Sequence, residues 1–390
     1  MRRNGLVVTG TGIVCPLGLD AASVAAGLRG ERCATRVEPD FAKSLPMNVA
    51  RRQDRLSKLI LVAAMAAAER ARLREACGER TGLVIGTGLG CLEKTEGYLE
   101  GFARAGLAHA DAMSFPESMD SSPAAHVSIV LGCRGPSMTV SQREITGESA
   151  IVLAAHLLEW GLADAVVIAA GDTTSPELIR ALARLAPGVK LGEGAAAMVL
   201  ETRASAERRG APAIAHLLGW ASTAAAHRTP ATRLAPPGVE EHAVVAATHM
   251  AMAAATGSTA ADAATGMTTP AAVEAFLSGR QTDSEAERLN EPDTGEQESA
   301  QKGGVERSAG TGAALWSAES GSTGSDPTHM PGIRVFDRET LTKRMGWIMS
   351  AGVLRTVLAL QALPLNGGRP VVISGRARAG TAAALIFGPA

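Results

Sequence analysis

Aromatic residues are scarce, at 3% with a single tyrosine, and an excess charge of either sign is missing. Lys and Arg number 38 against 39 Asp and Glu, a formal net charge of -1. Such a balance gives no bulk field for nucleic acid or an anionic membrane, so neither is expected as a partner. No apolar run is long enough to span a bilayer, and no signal-peptide core follows Met1. A cytoplasmic location with no membrane span is therefore expected. The five cysteines (Cys15, Cys33, Cys77, Cys91 and Cys133) contain no CxxC pair and no metal-ligand spacing. They are expected to be reduced and buried rather than a disulfide frame. The eight histidines form no HxxxH or HExxH, and the acidic residues give no metal-loop spacing, so no metal is expected. Gly10-Thr11-Gly12 is followed by its next glycine only at Gly18, which is not GxGxxG, and no nucleotide cofactor is expected either.

What is present is a large apolar inventory. The chain has 390 residues, 46% of them hydrophobic and 20% charged, enough for two domains or one duplicated one. Ala and Gly dominate, which suits helices packed closely on a sheet. Leu6 to Thr9 reads as a strand ending in a Gly-rich turn, with Asp20 capping the next helix. Residues 57 to 74 read as a helix and Thr81 to Gly90 as a buried strand with a Gly turn. Met138 to Val140 reads as a strand, Ile151 to Leu162 as a long apolar helix, Ala165 to Ala170 as a buried strand and Ala195 to Glu201 as another. Apolar strands alternating with helices predict an α/β protein with a parallel-type sheet covered on both faces. Residues 279–308 are polar and aperiodic and read as a surface or disordered loop. Beyond them, 313–316, 370–374 and 381–387 read as strands and 349–363 as a helix. AAAMVLE (195–201) and AAALIF (382–387) look alike and hint at two related halves.

The chemistry concentrates on Val140 to Ala150, VSQREITGESA, between a strand and a helix. A bend at a helix N-terminus favours a thiolate, an oxyanion or a carboxylate, because free N–H groups and the positive end of the dipole converge there. This chain places Glu144 at the bend. Ser149 lacks the closing glycine of GxSxG and falls inside the helix, so it reads as a helical serine. Ser141 and Thr146 flank the bend with no His partner. His156, mid-helix, reads as a core or interface histidine. Glu144 and Glu148, four apart at a helix start, both suit the dipole.

Several long segments resemble the β-ketoacyl synthases of fatty acid and polyketide assembly. They are LVVTGTGIVCPLG (6–18), DRLSKLILVAAMAAAERA (54–71), residues 135–172 around the bend, and LGEGAAAMVLETRASAERRGA (191–211). The resemblance implies a thiolase-like five-layered α-β-α-β-α fold from two related halves, 1–218 and 219–390, and usually a dimer. The family uses a Cys nucleophile and two His residues. Its elbow reads roughly TACASG, so Glu144 stands in the Cys position of Gln142–Gly147. Its HGTGT motif is matched by residues 309–313, with Ala309 for the first His. Trp347, after Gly346, stands for the second His, and Lys343 is the candidate for the retained Lys. The Phe positions of its C-terminal turn fall on Arg376 and Arg378 within 374–380.

These replacements leave no intact catalytic set. Condensation needs a thiolate to carry the acyl group and His side chains to stabilise the enolate. The expected role is a non-catalytic subunit of the chain-length factor type. Such a subunit pairs as a heterodimer with a catalytic ketosynthase and serves an acyl carrier protein in fatty acid, polyketide or polyene biosynthesis, with no cofactor. Met138 to Val140 would pair with the partner's equivalent strand, and chain-length control is sought beside Phe115 and Met119. A buried Glu144 needs a cation, with Arg143, Arg376 and Arg378 as candidates. The alternative is a malonyl carrier-protein decarboxylase or other residual acyl chemistry at the elbow; loading-module domains of that kind keep both His residues.

Overall fold

Small residues let this chain lay helices directly on strands. The structure is a computed structural model that describes residues 5–30, 33–38, 40, 43, 45–51, 53–73, 76–106, 111, 114–185, 188–224, 338–346, 348, 350–362, 371–376 and 381–390. In chain order the elements begin β1 (Leu6–Val14), α1 (Ala21–Arg29), α2 (Met47–Ala50), α3 (Arg55–Arg70), β2 (Thr81–Gly86), α4 (Leu92–Ala105), α5 (Ser122–Leu131) and β3 (Ser137–Val140). They continue with α6 (Thr146–Glu159), β4 (Ala165–Asp172), α7 (Pro176–Leu185), β5 (Gly194–Thr202), α8 (Arg203–Arg209) and β6 (Ala215–Ala224). The described C-terminal elements are α9 (Arg338–Met345), α10 (Gly352–Ala362), β7 (Val371–Arg376) and β8 (Thr381–Pro389).

Helix α3 shows the packing rule. Asp54 caps it, accepting from the Ser57 N–H at 2.9 Å. Leu56, Leu59, Ile60, Ala63, Ala64 and Ala67 recur at helical spacing and are all fully buried. Beneath them lies β1, which runs on through Gly10-Thr11-Gly12 to Val14 rather than turning after Thr9. A Cβ on Gly10 would come 2.1 Å from the Ala67 carbonyl oxygen, and one on Gly12 equally close to that of Ala63. The glycines are there for backbone contact between helix and strand, not for a turn.

The eight strands pair in the order β3-β2-β4-β5-β1-β6-β8-β7. Among the described strands only β3–β2 and β2–β4 are parallel. All other pairings are antiparallel, so the expectation of a parallel-type sheet is corrected. The physical reason lies in burial. A strand covered by helices on both faces carries an unbroken apolar run in either direction. Asp172 pairs with Gly194, so the connection through α7 leaves and re-enters at the same end of the sheet.

Helices α3 and α5 cover one face of β1, β2, β4 and β5, forming one apolar cluster. Helices α6 and α10 cover the other and centre the second cluster. Helix α6 also touches β6 and β8, so the sheet curls around it. Strand β6 joins the two parts by pairing with β1 and with β8. The expected boundary at 218/219 falls inside β6, at its register shift between Leu217 and Gly219. The expected strand 313–316 and loop 279–308 lie outside the described residues. Among the cysteines, Cys15, Cys91 and Cys133 are buried, but Cys33 is exposed and Cys77 half-buried, which corrects the expectation that all five are inside.

Candidate functional site

The bend between β3 and α6 is tight and locally self-supporting. Thr87 N–H donates to the Val140 carbonyl at 3.1 Å, tying the end of β3 to the loop after β2. The chain then passes Ser141 and Gln142 and turns at Arg143, which has a left-handed φ of 51°. A non-glycine residue there carries steric strain of roughly 1–2 kcal/mol. A 3₁₀ turn, Arg143–Ile145, leads into α6. The Thr146 hydroxyl accepts from Gln142 N–H at 2.8 Å and donates to the Arg143 carbonyl at 2.7 Å. This local bond pair starts α6 at Thr146, five residues ahead of the expected Ile151. At the other end, Gly161 (φ 68°) reverses the chain, and Leu162 N–H reaches back to Leu157, closing the helix before Leu162.

Glu144 is buried on the 3₁₀ turn. That turn packs against β7 and β8, the two strands that flank residues 377–380. Arg143 is exposed, and the Arg376 side chain and Arg378 lie outside the described residues; among the described residues a buried ion pair beside the elbow joins Glu148 to Arg355. Glu148 Oε1 lies 3.3 Å from Arg355 Nη1, with Glu148 fully buried and Arg355 nearly so. The contact is possible because α6 and α10 touch backbone to backbone. A Cβ on Gly147 would meet Val353 N at 2.5 Å, and one on Gly352 would meet Glu148 Oε2 at 2.1 Å. The Glu148 carboxylate thus sits at the N-terminus of α10, where free N–H groups and the dipole favour an anion. Its reason is the neighbouring helix, not only its own.

Asp172, the last residue of β4, organises the next layer of the site. It is fully buried. Its Oδ1 accepts from Gly88 N–H (2.8 Å), Leu89 N–H (3.0 Å) and the Thr87 hydroxyl (3.1 Å). Its Oδ2 accepts from Ser350 N–H at 2.6 Å. One carboxylate thereby joins the loop after β2 to the segment before α10. Burial pushes its pKa up, while the hydrogen bonds pull against that shift. Leu191-Gly192-Glu193-Gly194 buttresses the same region. A Cβ on Gly192 would lie 2.0 Å from the Met345 carbonyl, and Gly346 (φ 78°) packs back against Leu191 and Gly192. Glu193, fully buried, holds its loop through Arg55 and the Val37 N–H (2.8 Å).

The other expected residues fall as follows. Lys343 is exposed on α9, which packs inward through Leu341 and Met345. Ala309 and Trp347 lie outside the described residues, though Gly346, Ile348 and Ser350 beside Trp347 are buried. Ser149 donates to Gln142 Oε1 at 2.5 Å, so its hydroxyl serves the elbow as a brace. His156 stacks on Trp160 (centroids 5.4 Å apart) and meets the edge of Trp220, toward the C-terminal end of α6 and away from the bend. Cys91, after the loop that Asp172 pins, donates to the Met119 carbonyl at 3.2 Å. Burial raises its pKa strongly, which makes it a poor thiolate. Phe115 and Met119 are half-exposed, with Phe115 against Tyr98. Among the described residues no cluster of three metal-ligating side chains occurs, and no described helix is long and apolar enough to cross a membrane.

Residues 35–186 match the family model described as Beta-ketoacyl synthase, N-terminal domain. Over that segment the chain is similar to β-ketoacyl synthases. Among similar proteins, Nodulation protein E of Rhizobium sp. (strain N33) is 30% identical over 250 residues, 55% of this chain and 62% of that protein. The match therefore spans less than two thirds of that relative's length. The 3-oxoacyl-(acyl-carrier-protein) synthase 2 of Staphylococcus aureus (strain COL) is 26% identical over 60% of this chain and 66% of its own length. Solved ketosynthase structures match over nearly the whole chain and show its thiolase-like fold. "The ishigamide ketosynthase/chain length factor" has a TM-score of 0.69 at 20% identity, covering 99% of both chains. A second structure, titled "AntDE:AntF (apo): type II PKS acyl-carrier protein in complex with its ketosynthase bound to the hexaketide", has a TM-score of 0.64 at 18% identity, covering 100% of both.

Proposed function

We propose that this chain is a non-catalytic ketosynthase-like subunit that pairs with a catalytic ketosynthase and shapes the space in which an acyl chain grows. The observation that carries the reading is Glu144, a buried carboxylate on the 3₁₀ turn between β3 and α6, where the family resemblance assigns the nucleophilic Cys. A carboxylate there does not hold a growing chain as a thioester. The neighbouring hydroxyls of Thr146 and Ser149 are engaged in bracing the turn, which supports the same reading. Ala309 and Trp347 at the two His positions, with Lys343 as the retained Lys, complete it.

The proposed partner face is β3, the edge strand of the sheet among the described residues. Strand β3 is the terminal strand, Ser137 and Met138 are exposed on it, and α5 beside it presents Ile129 with 78% of its surface open. An exposed edge with apolar side chains invites a second strand. The neighbours titled as a ketosynthase/chain length factor and as a ketosynthase with its acyl carrier protein support a pairing with a ketosynthase and such a carrier, for which the cytoplasm is the proposed location. The two halves, 1–218 and 219–390, belong to the same proposal. Strand β5 lies between antiparallel β4 and β1, and β8 between antiparallel β6 and β7, matching AAAMVLE with AAALIF.

The test is co-expression with a catalytic ketosynthase of the same pathway, followed by size exclusion and a condensation assay with acyl and malonyl carrier proteins. The proposal expects a heterodimer whose turnover needs the partner's Cys, with Glu144→Ala altering product length but leaving turnover. Release of CO2 from malonyl carrier protein by this chain alone, abolished by Glu144→Ala, would instead establish the decarboxylase.

A further inference from the structure

Two thiols far from the elbow lie close together. Cys77 and Cys133 have Sγ atoms 4.0 Å apart, the Cys133 thiol donating to the Cys77 sulfur. Cys133 is buried and Cys77 is half-exposed. Each stands four residues ahead of a strand of the parallel edge pair, Cys77 before β2 at Thr81 and Cys133 before β3 at Ser137. The two loops are already tied by main-chain bonds. Arg134 N–H reaches the Gly78 carbonyl (3.0 Å), Gly135 N–H that of Thr81 (3.0 Å), and Leu83 N–H that of Pro136 (2.8 Å). With both backbones fixed, the sulfurs need close only by about 2 Å to reach bonding distance, a movement within side-chain rotation. The hydrogen bond from Cys133 and the positive field of Arg209 favour the thiolate at Cys77, while the same bond and burial hold Cys133 protonated.

We propose that Cys77 and Cys133 are a reversible oxidation site that accepts a low-molecular-weight disulfide of the glutathione type and closes an intrachain disulfide across the entrances to β2 and β3. Cys77 thiolate attacks one sulfur of the small disulfide, forming a mixed disulfide and releasing one small thiolate. That thiolate takes the proton of Cys133. The Cys133 thiolate then attacks Cys77 Sγ and displaces the second small thiolate, which is protonated by solvent. Two protein thiols are oxidised, and one small disulfide is reduced to two thiols. Cys77 is the accessible attacking sulfur and Cys133 the resolving one. The inference is independent of the partner-subunit reading, since it rests on neither Glu144 nor the free edge.

The full chain would be equilibrated with oxidised or reduced glutathione, quenched with an alkylating agent and mapped by non-reducing mass spectrometry. The expected product is a Cys77–Cys133 cross-linked peptide, with the exposed Cys33 ending as a glutathione adduct. In the reduced protein Cys77 should alkylate ~10-fold faster than buried Cys91. Oxidation should raise the thermal midpoint by ~5 °C, reversed by dithiothreitol and absent in Cys77→Ser. Cys133→Ser should trap the glutathione adduct on Cys77. A stable adduct on Cys77 beside a free Cys133 in the wild-type chain overturns the proposal. So does a map in which Cys33 is oxidised while Cys77 and Cys133 stay reduced. Both readings come from the wild-type protein and need no variant to fold.

Discussion

Where α3 crosses β1, Gly10 and Gly12 admit the carbonyls of Ala67 and Ala63; where α6 meets α10, Gly147 and Gly352 admit each other's backbone, with Glu148 and Arg355 buried beside them. Both contacts use glycine to bring main chains together. They differ in what surrounds the glycines. The first is lined by small apolar side chains and held by their burial and dispersion. The second must also compensate two charges removed from water. The first contact is therefore sensitive to size and the second to loss of a partner. That makes the position of α10 depend on the Glu148–Arg355 ion pair as well as on packing, next to the segment that carries Ile348 and Ser350.

The comparison can be broken most sharply at the small-residue contact. Gly12→Val should destabilise by more than about 4 kcal/mol, because the new Cβ meets backbone rather than a movable side chain. Loss of soluble protein, or a collapse of the urea midpoint, is the readout; a near-normal midpoint would show that the helix can lift off. At the charged contact, Arg355→Met should cost about 3–4 kcal/mol by urea denaturation, as Glu148 is left buried without its cation. Glu148→Met combined with Arg355→Met should recover most of that loss. If the double variant is as unstable as the single one, packing and not charge dominates this contact too.

A smaller effect is expected at Asp172, which serves the charged side by holding Ser350. Asp172→Asn keeps the shape but loses acceptor capacity, for about 1–3 kcal/mol. Its pH dependence has a definite sign. Burial raises the folded-state pKa, so the folded chain holds this proton more tightly than the unfolded one. The wild-type contribution is therefore greatest below the unfolded carboxylate pKa, roughly 4, and declines as pH rises through the folded value. Asn does not titrate, so the gap between wild type and variant should narrow from pH 4 toward pH 7 in parallel denaturation curves. The smallest effect belongs to the bend itself. Arg143→Gly should stabilise by up to about 1 kcal/mol by relieving the left-handed φ, offset by glycine's added freedom when unfolded. A loss of stability there would mean that the Arg143 side chain contributes more than the strain it carries.

Much of the frame was legible. Asp20 caps α1 because a short carboxylate before an apolar helix pattern has an orphan N–H to satisfy. Strands β4 and β5 were readable as apolar runs, and the elbow as a strand followed by a helix. Less was legible where a residue's role depends on a distant segment. Gly10-Thr11-Gly12 reads as a turn from its composition, yet α3 lying on it makes it strand. Glu148 reads as a dipole residue of its own helix, whereas its cation stands 207 positions later on α10. Asp172 gave no signal at all, since an Asp after a buried strand is ordinary until Ser350 arrives 178 positions on.

The sequence alone determined the alternation of strands and helices, the apolar and small-residue core, and a bend carrying Glu144. These are local properties: hydrophobic period, capping chemistry and residue identity are written at single positions. The tertiary structure alone decided strand direction, the pairing of β6 with both parts of the sheet, and the meeting of Glu148 with Arg355 and of Cys77 with Cys133. Strand direction leaves no mark on a strand buried on both faces, and a pair contact belongs to neither residue's own sequence neighbourhood. It exists only once the chain between them has closed.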